Sequence, residues 1–498
     1  MSLFVKKDLK LLLSQAEDSE KGLKRTLGAG NLVALGIGAI IGAGLFVRTA
    51  AAAGQAAGPA VTLSFVVAAI GCAFAGLCYA EFASMIPIAG SAYAYSYVTM
   101  GELVAWIIGW ALIMEYALGA ATVSIAWSEY LNKLLGGGIP YEWCHSFLES
   151  YTDSAGVAHS GIMNAPALVI LLSLTLLLIK GTQESAMINA IIVAVKVAIV
   201  LIFIVVGWQF IDPANHTPYL IPENTPPMLD SAGQVIADYS GWNKHGWGGV
   251  LGGAAIVFFA FIGFDAVSTA AQEAKNPKRD MPIGILGSLV VCTILYILFG
   301  HVLTGVTNWK DFVDPEKGRE ASVAYAISAH MPGYEWLAKA VTVAILAGFS
   351  SVILVMLMGQ SRVFYSMSND GLIPKAFGEL HPKFKTPYKA NWILFVFVGA
   401  FAAFVPGHVA GDLTSFGTLF AFVLVCIGIL LLRRSSPSIV RPFKTPWPYI
   451  VCPLGALICT AMIVGLDTQT LSVAFGWMAV GLVVYFLYGK HNSKLRNP

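Results

Sequence analysis

Long apolar runs separated by polar segments are the dominant pattern along this chain. About 20 apolar residues in a helix cross the hydrocarbon core of a bilayer, and most of the runs approach that length. The pattern predicts twelve membrane-spanning helices, over residues 31–53, 59–83, 104–131, 164–180, 187–208, 248–271, 283–305, 337–361, 391–405, 412–432, 447–466 and 471–489. An even number of spans places both ends of the chain on the same side of the membrane.

Basic residues decide which side that is, because they favour the cytoplasmic ends of membrane helices. Of the 30 lysines and arginines, 22 fall on the side of the termini, seven fall on the other side, and Lys196 lies within a span. We therefore predict a multi-pass protein of the cell (plasma) membrane with both termini in the cytoplasm, including an N-terminal tail over 1–27. The long polar segments 132–163, 209–247 and 306–336 then face outward.

Composition agrees with an all-α membrane protein. Hydrophobic residues make up 57% of the 498 and charged residues 12%, against about 25% charged in soluble domains. The net charge of +2 gives no reason to expect a nucleic acid as partner, whereas the lipid bilayer is an expected one. The seven cysteines show no spacing typical of a metal site or a disulfide framework, and no cofactor is expected.

The first span carries a cluster of glycines that a simple membrane anchor does not need. Gly36, Gly38, Gly42 and Gly44 fall within nine residues, although a glycine in a helix interior costs about 1 kcal/mol relative to alanine. Gly38 and Gly42, four apart, suit close packing of two helices. Gly42-Ala43-Gly44 instead predicts a break in the helix, because unwound backbone is tolerated at this depth only where it faces protein or a cavity.

The sixth span carries a second irregularity. It ends in Phe258-Phe-Ala-Phe-Ile-Gly-Phe-Asp265, and an acidic residue deep in an apolar span usually faces the bundle interior or water. Gly263 beside it marks a second break; an alternative role for Asp265 is to cap the helix that follows. Two breaks five helices apart predict an inverted repeat, since successive units of five helices cross in opposite directions, with a transporter's substrate site where the broken helices meet.

This repeat divides the chain into five parts. They are the cytoplasmic tail 1–27, the first repeat 28–208 (helices 1–5), an extracellular loop 209–247, the second repeat 248–432 (helices 6–10), and 433–498 with helices 11 and 12 and the cytoplasmic C-terminus.

The two breaks together offer groups that suit an α-amino acid. A half-helix that starts near Ala43 presents unpaired N–H groups and the positive end of a helix dipole to a carboxylate. Carbonyl groups around Ile40 and Ile41, and those near Phe259–Phe261, have free lone pairs for an ammonium. The predicted substrate-binding residues are Ile40, Ile41, Gly42, Ala43, Gly44, Phe259, Ala260, Phe261, Ile262 and Phe264. For each of these phenylalanines, ordinary packing is the alternative.

Two ionisable residues lie deep in other spans, and we predict a proton-coupling role for both. Lys196 stands in the middle of span 5, where a lysine can bind and release a proton or place its ammonium in a cation site. For Glu115 in span 3, pairing with a cationic substrate, a share in proton movement and a bond to a neighbouring helix stay open. Glu81, at the end of span 2, is assigned a solvated or capping role.

Two other classes of protein fit the pattern less well. A channel needs a continuous polar path, and no span shows a repeated polar face. A membrane enzyme needs a nucleophile–base or metal constellation, and the sequence has no HExxH, GxSxG or CxxC motif. The pattern therefore favours a transporter that is not an enzyme.

Several motifs resemble those of the amino acid–polyamine–organocation (APC) superfamily, and within it the bacterial relatives of the cationic amino acid transporters. They are GIGAIIGAGLF at 36–46, PIAGSAYAY at 87–95, Gly101-Glu102, Gly109-Trp110, the segment 259–265 running into 273–282, and SRVFYSMSNDGLIP at 361–374. The resemblance implies a LeuT-like fold of two inverted five-helix repeats with two further C-terminal helices. It also implies that an amino acid binds to the glycine loop of helix 1 and the unwound part of helix 6.

The resemblance also bears on coupling and specificity. Lys196 matches a helix 5 lysine that occupies the place of sodium in sodium-coupled relatives, which implies proton coupling, or at least sodium independence. Ala43 stands where other members often have a hydroxyl residue, which leaves backbone N–H groups to bind the carboxylate. Phe349 in helix 8, with Phe264, is a candidate pocket wall or gate; a shortened pocket would favour small neutral over cationic amino acids.

The function expected from residues and resemblance together is secondary active import of L-amino acids by alternating access, with H⁺ as the coupling ion. A sodium-independent amino acid exchanger is the alternative. The side chain of the substrate, the oligomeric state, and any small membrane partner or lipid stay open.

Overall fold

The computed structural model describes residues 3–8, 27–86, 91–153, 155–181, 186–230, 233–269, 271, 274–314, 322–384 and 386–496. Most of the predicted tail 1–27, and residues 87–90 of the motif at 87–95, lie outside the described residues.

Helices dominate the described part of the chain. In order they are α1 (Ala29–Ile40), α2 (44–57), α3 (Val61–Met85), α4 (Ser91–Thr99), α5 (Glu102–Leu134), α6 (Ala165–Lys180), α7 (Ala186–Gly207), α8 (Gly246–Phe261), α9 (Ala266–Thr269), α10 (Pro277–Val306), α11 (Ser322–His330), α12 (Glu335–Asn369), α13 (Tyr388–Phe404), α14 (Gly407–Ser435), α15 (Pro448–Val464) and α16 (Thr468–Asn492). Wider π-helical turns interrupt α2 and α5, and α8 ends in a 3₁₀ turn over Phe258–Phe261.

The predicted spans agree with these helices. Among the described residues, seven helical segments are long and apolar enough to cross a membrane, and five shorter apolar helices of 10–17 residues accompany them. Every predicted span falls on one or two of these twelve segments. The segment Gly44–Met85 holds the second part of span 1 together with span 2, because α2 and α3 are joined by a single 3₁₀ turn, Gly58–Ala60.

The predicted all-α architecture is accompanied by small antiparallel hairpins in two of the predicted outward loops. Strands β1 (Ser150–Thr152) and β2 (Ala158–Ser160) form the first, and β3 (Met228–Leu229) and β4 (Val235–Ala237) the second. An aspartate starts the first turn: the Asp153 carboxylate accepts hydrogen bonds from the N–H groups of Ala155 and Val157, at 3.0 and 2.8 Å. Such aspartate turns bring the flanking residues together as strands.

Two helices occur where the sequence pattern predicted none. α4 lies between spans 2 and 3, and α11 lies in the predicted outward segment 306–336. At the centre of the fold, α10 packs against both α1 and α3, while α12 packs against α5. These helices surround the two breaks.

Candidate functional site

The first helix is interrupted at the predicted place. α1 ends at Ile40, Ile41 is extended (φ −72°, ψ 103°), and the helix resumes at Gly44. Within the described part of the chain, the N–H groups of Gly42, Ala43 and Gly44 donate to no backbone carbonyl. Three adjacent free N–H groups at the start of a helical segment are suited to an anion.

The second interruption follows α8. Phe261 ends its 3₁₀ turn, Ile262 is extended (φ −60°, ψ 136°), and Gly263 has φ +111°. A residue with a Cβ atom rarely adopts that conformation, so glycine is required here. α9 then begins at Ala266, and the break predicted at Gly263 and Asp265 is present.

The two breaks are in direct backbone contact. A Cβ atom on Gly44 would stand 2.7 Å from the nitrogen of Ala260 and overlap its Cα atom. A Cβ atom on Gly263 would stand 2.9 Å from the carbonyl oxygen of Ala39. Both glycines therefore serve the close approach of two interrupted helices, and the predicted residues on the two breaks lie together.

A residue that the sequence did not single out connects the two broken helices. The Tyr296 hydroxyl, on α10, lies 3.0 Å from the carbonyl oxygen of Ile40 and 2.9 Å from that of Ala260. Ile40 is the last residue of α1, and Ala260 lies in the 3₁₀ turn that ends α8. A tyrosine in an apolar span is ordinary, and no pattern in the sequence marks this one.

Lys196 reaches the first break from α7. Its side chain is buried, with 3% of the residue exposed, and its ammonium donates to the carbonyl oxygen of Gly38 at 2.9 Å. On the way it passes Gly348 of α12, where a Cβ atom would be 2.7 Å from the lysine Cε. Lys196 therefore joins α7, α1 and α12 beside the unwound segment.

Glu115 and Asp265 form a second buried group. Asp265 accepts a hydrogen bond from the Tyr116 hydroxyl at 2.5 Å. Glu115 lies next to Asp265 and to Thr418 of α14, and neither carboxyl residue is exposed. The carboxyl group that follows the second break is thus in contact with α5, and two acidic side chains share one enclosed region.

The two phenylalanines predicted as pocket walls or gates belong to different aromatic groups. The ring of Phe349 lies 6.2 Å from that of Phe46 and 5.7 Å from that of Tyr130. The ring of Phe264 instead packs on Tyr79 and Phe422, at 5.7 and 4.9 Å. Phe349 therefore faces the residues that follow the first break, while Phe264 contacts α3 and α14.

Arg48, counted from the sequence among the outward-facing basic residues, is buried. Its guanidinium forms an ion pair with Asp412 of α14 and lies 6.0 Å from the ring centre of Phe259. Asp412 also lines a cavity of about 340 Å³, whose other walls include Lys244 and Asp467. The ion pair therefore connects the helix that follows the first break to a residue of the cavity wall.

Access to the two breaks requires movement of the surrounding helices. The predicted contact residues on the breaks, together with Lys196, Glu115 and Phe349, are all buried. Two interrupted helices that meet at their unwound residues, enclosed within a multi-pass helical protein, define a membrane transporter.

Comparison with known proteins identifies the family. Residues 27–488 match the amino acid permease family, and the chain belongs to it. It is 42% identical over 498 residues to the branched-chain amino acid permease BcaP of Bacillus subtilis, covering 99% of both chains. A methylthioribose transporter of the same organism is 38% identical, again over 99% of both chains. The human cationic amino acid transporter 4 is 34% identical over 89% of this chain and 65% of its own length.

These relatives confirm the predicted resemblance to the APC superfamily and its cationic amino acid transporter branch. The family consists of transporters and not of enzymes, as predicted. The protein is therefore a multi-pass membrane protein of amino acid transport.

Proposed function

We propose that this protein imports neutral, apolar L-amino acids by alternating access, with protons as the coupling ion. The observation that carries the proposal is the direct contact of the two interrupted helices at their breaks, beside a buried lysine bound to the Gly38 carbonyl. We also infer a LeuT-like inverted repeat and cytoplasmic termini in the cell membrane, on the helix order and the distribution of basic residues.

Backbone groups would recognise the α-amino acid part of the substrate. The N–H groups of Gly42, Ala43 and Gly44, which donate to no backbone carbonyl among the described residues, suit the carboxylate. Carbonyl oxygens at the ends of α1 and α8 suit the ammonium. Since Ala43 has no hydroxyl to offer, the backbone alone carries the carboxylate contact.

The aromatic residues near the first break favour an apolar substrate side chain. Phe46, Tyr130 and Phe349 form one buried group. Their rings offer a large apolar surface against which a branched aliphatic side chain can pack. A guanidinium or ammonium would need a carboxylate partner there. The 42% identical relative is named a branched-chain amino acid permease, which agrees with this preference.

Lys196 would couple the substrate site to a proton. In its charged form the lysine donates to the carbonyl of Gly38 and holds the end of α1. Loss of the proton weakens this bond, so that the broken helix is released and the site opens to one side. One proton would thus accompany each opening of the site.

Uptake into proteoliposomes tests the proposal. Purified protein is reconstituted without sodium, under an inward proton gradient, and offered labelled leucine, valine, alanine, arginine and methylthioribose. We expect concentrative uptake of leucine and valine, abolished by an uncoupler. Uptake only into vesicles preloaded with amino acid would make the protein an exchanger, and uptake of arginine or methylthioribose alone would overturn the assignment of an apolar amino acid substrate.

A further inference from the structure

A second cavity, of about 460 Å³, lies far from the two breaks, where the N-terminal segment meets the end of α14. The N-terminal segment is the described stretch 3–8. Apolar side chains form most of the wall, and two basic side chains stand with them: Phe4, Met100, Val104, Leu431, Lys6 and Arg434. No acidic residue lines the cavity.

Within the described residues, the two basic side chains of the cavity have no acidic partner. Lys6 and Arg434 are both exposed, and among the described residues neither forms an ion pair. Neighbouring basic residues differ: Lys7 pairs with Asp370 and Arg433 with Glu81. Two unneutralised cations on one cavity suit an anionic ligand.

The position of the cavity at the end of the apolar part of α14 indicates that this anion is part of a lipid. Leu431 and Leu432 end the apolar run of α14, and Arg433, Arg434 and Ser435 follow them. Such a change from apolar to basic residues is typical of the headgroup level of a membrane. Phe4 and Leu431 are 53% and 42% exposed, which suits contact with an acyl chain.

The N-terminal segment is held in place as one wall of this cavity. The carbonyl oxygen of Val5 accepts a hydrogen bond from the N–H group of Glu102 at 2.9 Å, and that of Leu3 accepts one from Leu103 at 3.3 Å. Gly101, with φ +97°, permits the approach, because a Cβ atom there would lie 2.6 Å from the carbonyl carbon of Phe4. The wall is therefore formed without a ligand.

We propose that this cavity binds an anionic phospholipid. The phosphate lies between Lys6 and Arg434, and an acyl chain packs against Phe4, Val104 and Leu431. The lipid thereby fastens the N-terminal segment to the end of α14. This proposal rests on the position of the cavity at the membrane boundary and not on the transported substrate.

Binding to the full-length protein in detergent tests the proposal. Phosphatidylglycerol and phosphatidylcholine are titrated separately, and bound lipid is measured by native mass spectrometry together with the midpoint of thermal unfolding. We expect tighter binding and a larger rise in the midpoint with phosphatidylglycerol. Lys6→Gln/Arg434→Gln should weaken its binding about 30-fold, since each basic residue near an anionic lipid contributes about 1 kcal/mol.

Two further variants separate this site from general attraction of anionic lipid. Lys278→Gln/Lys375→Gln removes the same charge from exposed lysines outside the cavity, and should bind phosphatidylglycerol as the natural protein does. Val104→Trp fills the cavity and should weaken binding with both cations intact. Equal loss in both charge variants, no loss in Val104→Trp, or an equal effect of inorganic phosphate alone would each overturn the proposal.

Discussion

At the scale of single residues, Lys196 has the position with the clearest mechanistic consequence. Its ammonium is the donor to the carbonyl of Gly38, in the last turn of α1 before the first break. Replacement by alanine removes the proton carrier and leaves this carbonyl without its donor. We therefore expect Lys196→Ala to abolish proton-driven accumulation in proteoliposomes, with internal substrate no higher than external.

The matched control for this variant is Lys339→Ala, which removes an exposed lysine of α12. It should accumulate substrate as the natural protein does. If Lys196→Ala still accumulated substrate under a proton gradient, another group would have to carry the proton, and the buried carboxyl pair Glu115 and Asp265 would be the next to test.

Gly44 is a second residue whose replacement has a definite expected effect. An added methyl group would overlap Ala260 on the opposite break, and overpacking of this kind typically destabilises by about 1–3 kcal/mol. We expect Gly44→Ala to lower the thermal unfolding midpoint in detergent and to abolish uptake. Gly476→Ala is the control, because a Cβ atom there meets nothing within 4 Å; a fall of equal size in both variants would contradict the contact between the breaks.

The importance of residues that are unusual for their position could be predicted from the sequence. The contacts of residues whose partners are distant in the chain could not. Lys196 and Asp265 stand out as charges within apolar spans, and the structure places both beside the breaks. Glu81 looked like a solvated or capping residue, yet it is buried and bonded to Arg433 at 3.1 and 2.6 Å. That partner is 352 positions away in the chain, and no local pattern connects the two.

At the scale of elements, hydrophobic runs predicted the spanning helices because the bilayer imposes their length and polarity. The first break was predictable because a glycine cluster conflicts with an uninterrupted helix, and the second because a glycine stands beside an acidic residue deep in an apolar span. α4, α11 and the two hairpins were not predicted, since their residues are too mixed in polarity to show a period. The contact of the two breaks depends on tertiary packing, as does the position of Tyr296.

The ion pair of Arg48 with Asp412 connects α2 to α14, and its loss should destabilise the protein. Removal of one partner leaves a buried charge uncompensated, which destabilises by about 3–5 kcal/mol. We expect Arg48→Gln and Asp412→Asn each to lower the thermal unfolding midpoint strongly. The double variant should be more stable than the sum of the two losses predicts, and strictly additive losses would show that the pair is not coupled.

At the scale of the whole molecule, the N-terminal segment 3–8 and residues 493–496 meet on one face. Lys7 pairs with Asp370 at the end of α12, and the N–H group of Lys494 donates to the carbonyl of Asp370 at 3.0 Å. Arg496 donates to the buried carboxylate of Glu102 at 2.5 Å, and Ser493 bonds to the same group. These contacts therefore join the start of α5 and the end of α12, which are distant in sequence.

Removal of the C-terminal residues tests this arrangement. A chain that ends at Asn492 leaves the Glu102 carboxylate buried without Arg496, and we expect the free energy of unfolding to fall by about 3–5 kcal/mol. The control is a chain that ends at Arg496, which keeps the ion pair and should unfold like the full chain. Glu102→Gln in the shorter chain should recover part of the loss, because it removes the uncompensated charge; equal midpoints for both truncations would contradict the prediction.

The hydroxyl group of Tyr296 has one hydrogen atom but two possible acceptors. The carbonyl oxygens of Ile40 and Ala260 both lie within hydrogen-bond distance of it, at 3.0 and 2.9 Å. One of the two oxygens is therefore always short of a donor from this tyrosine. An ammonium brings three hydrogens, so the ammonium of a substrate bound as we propose would donate to both oxygens at once.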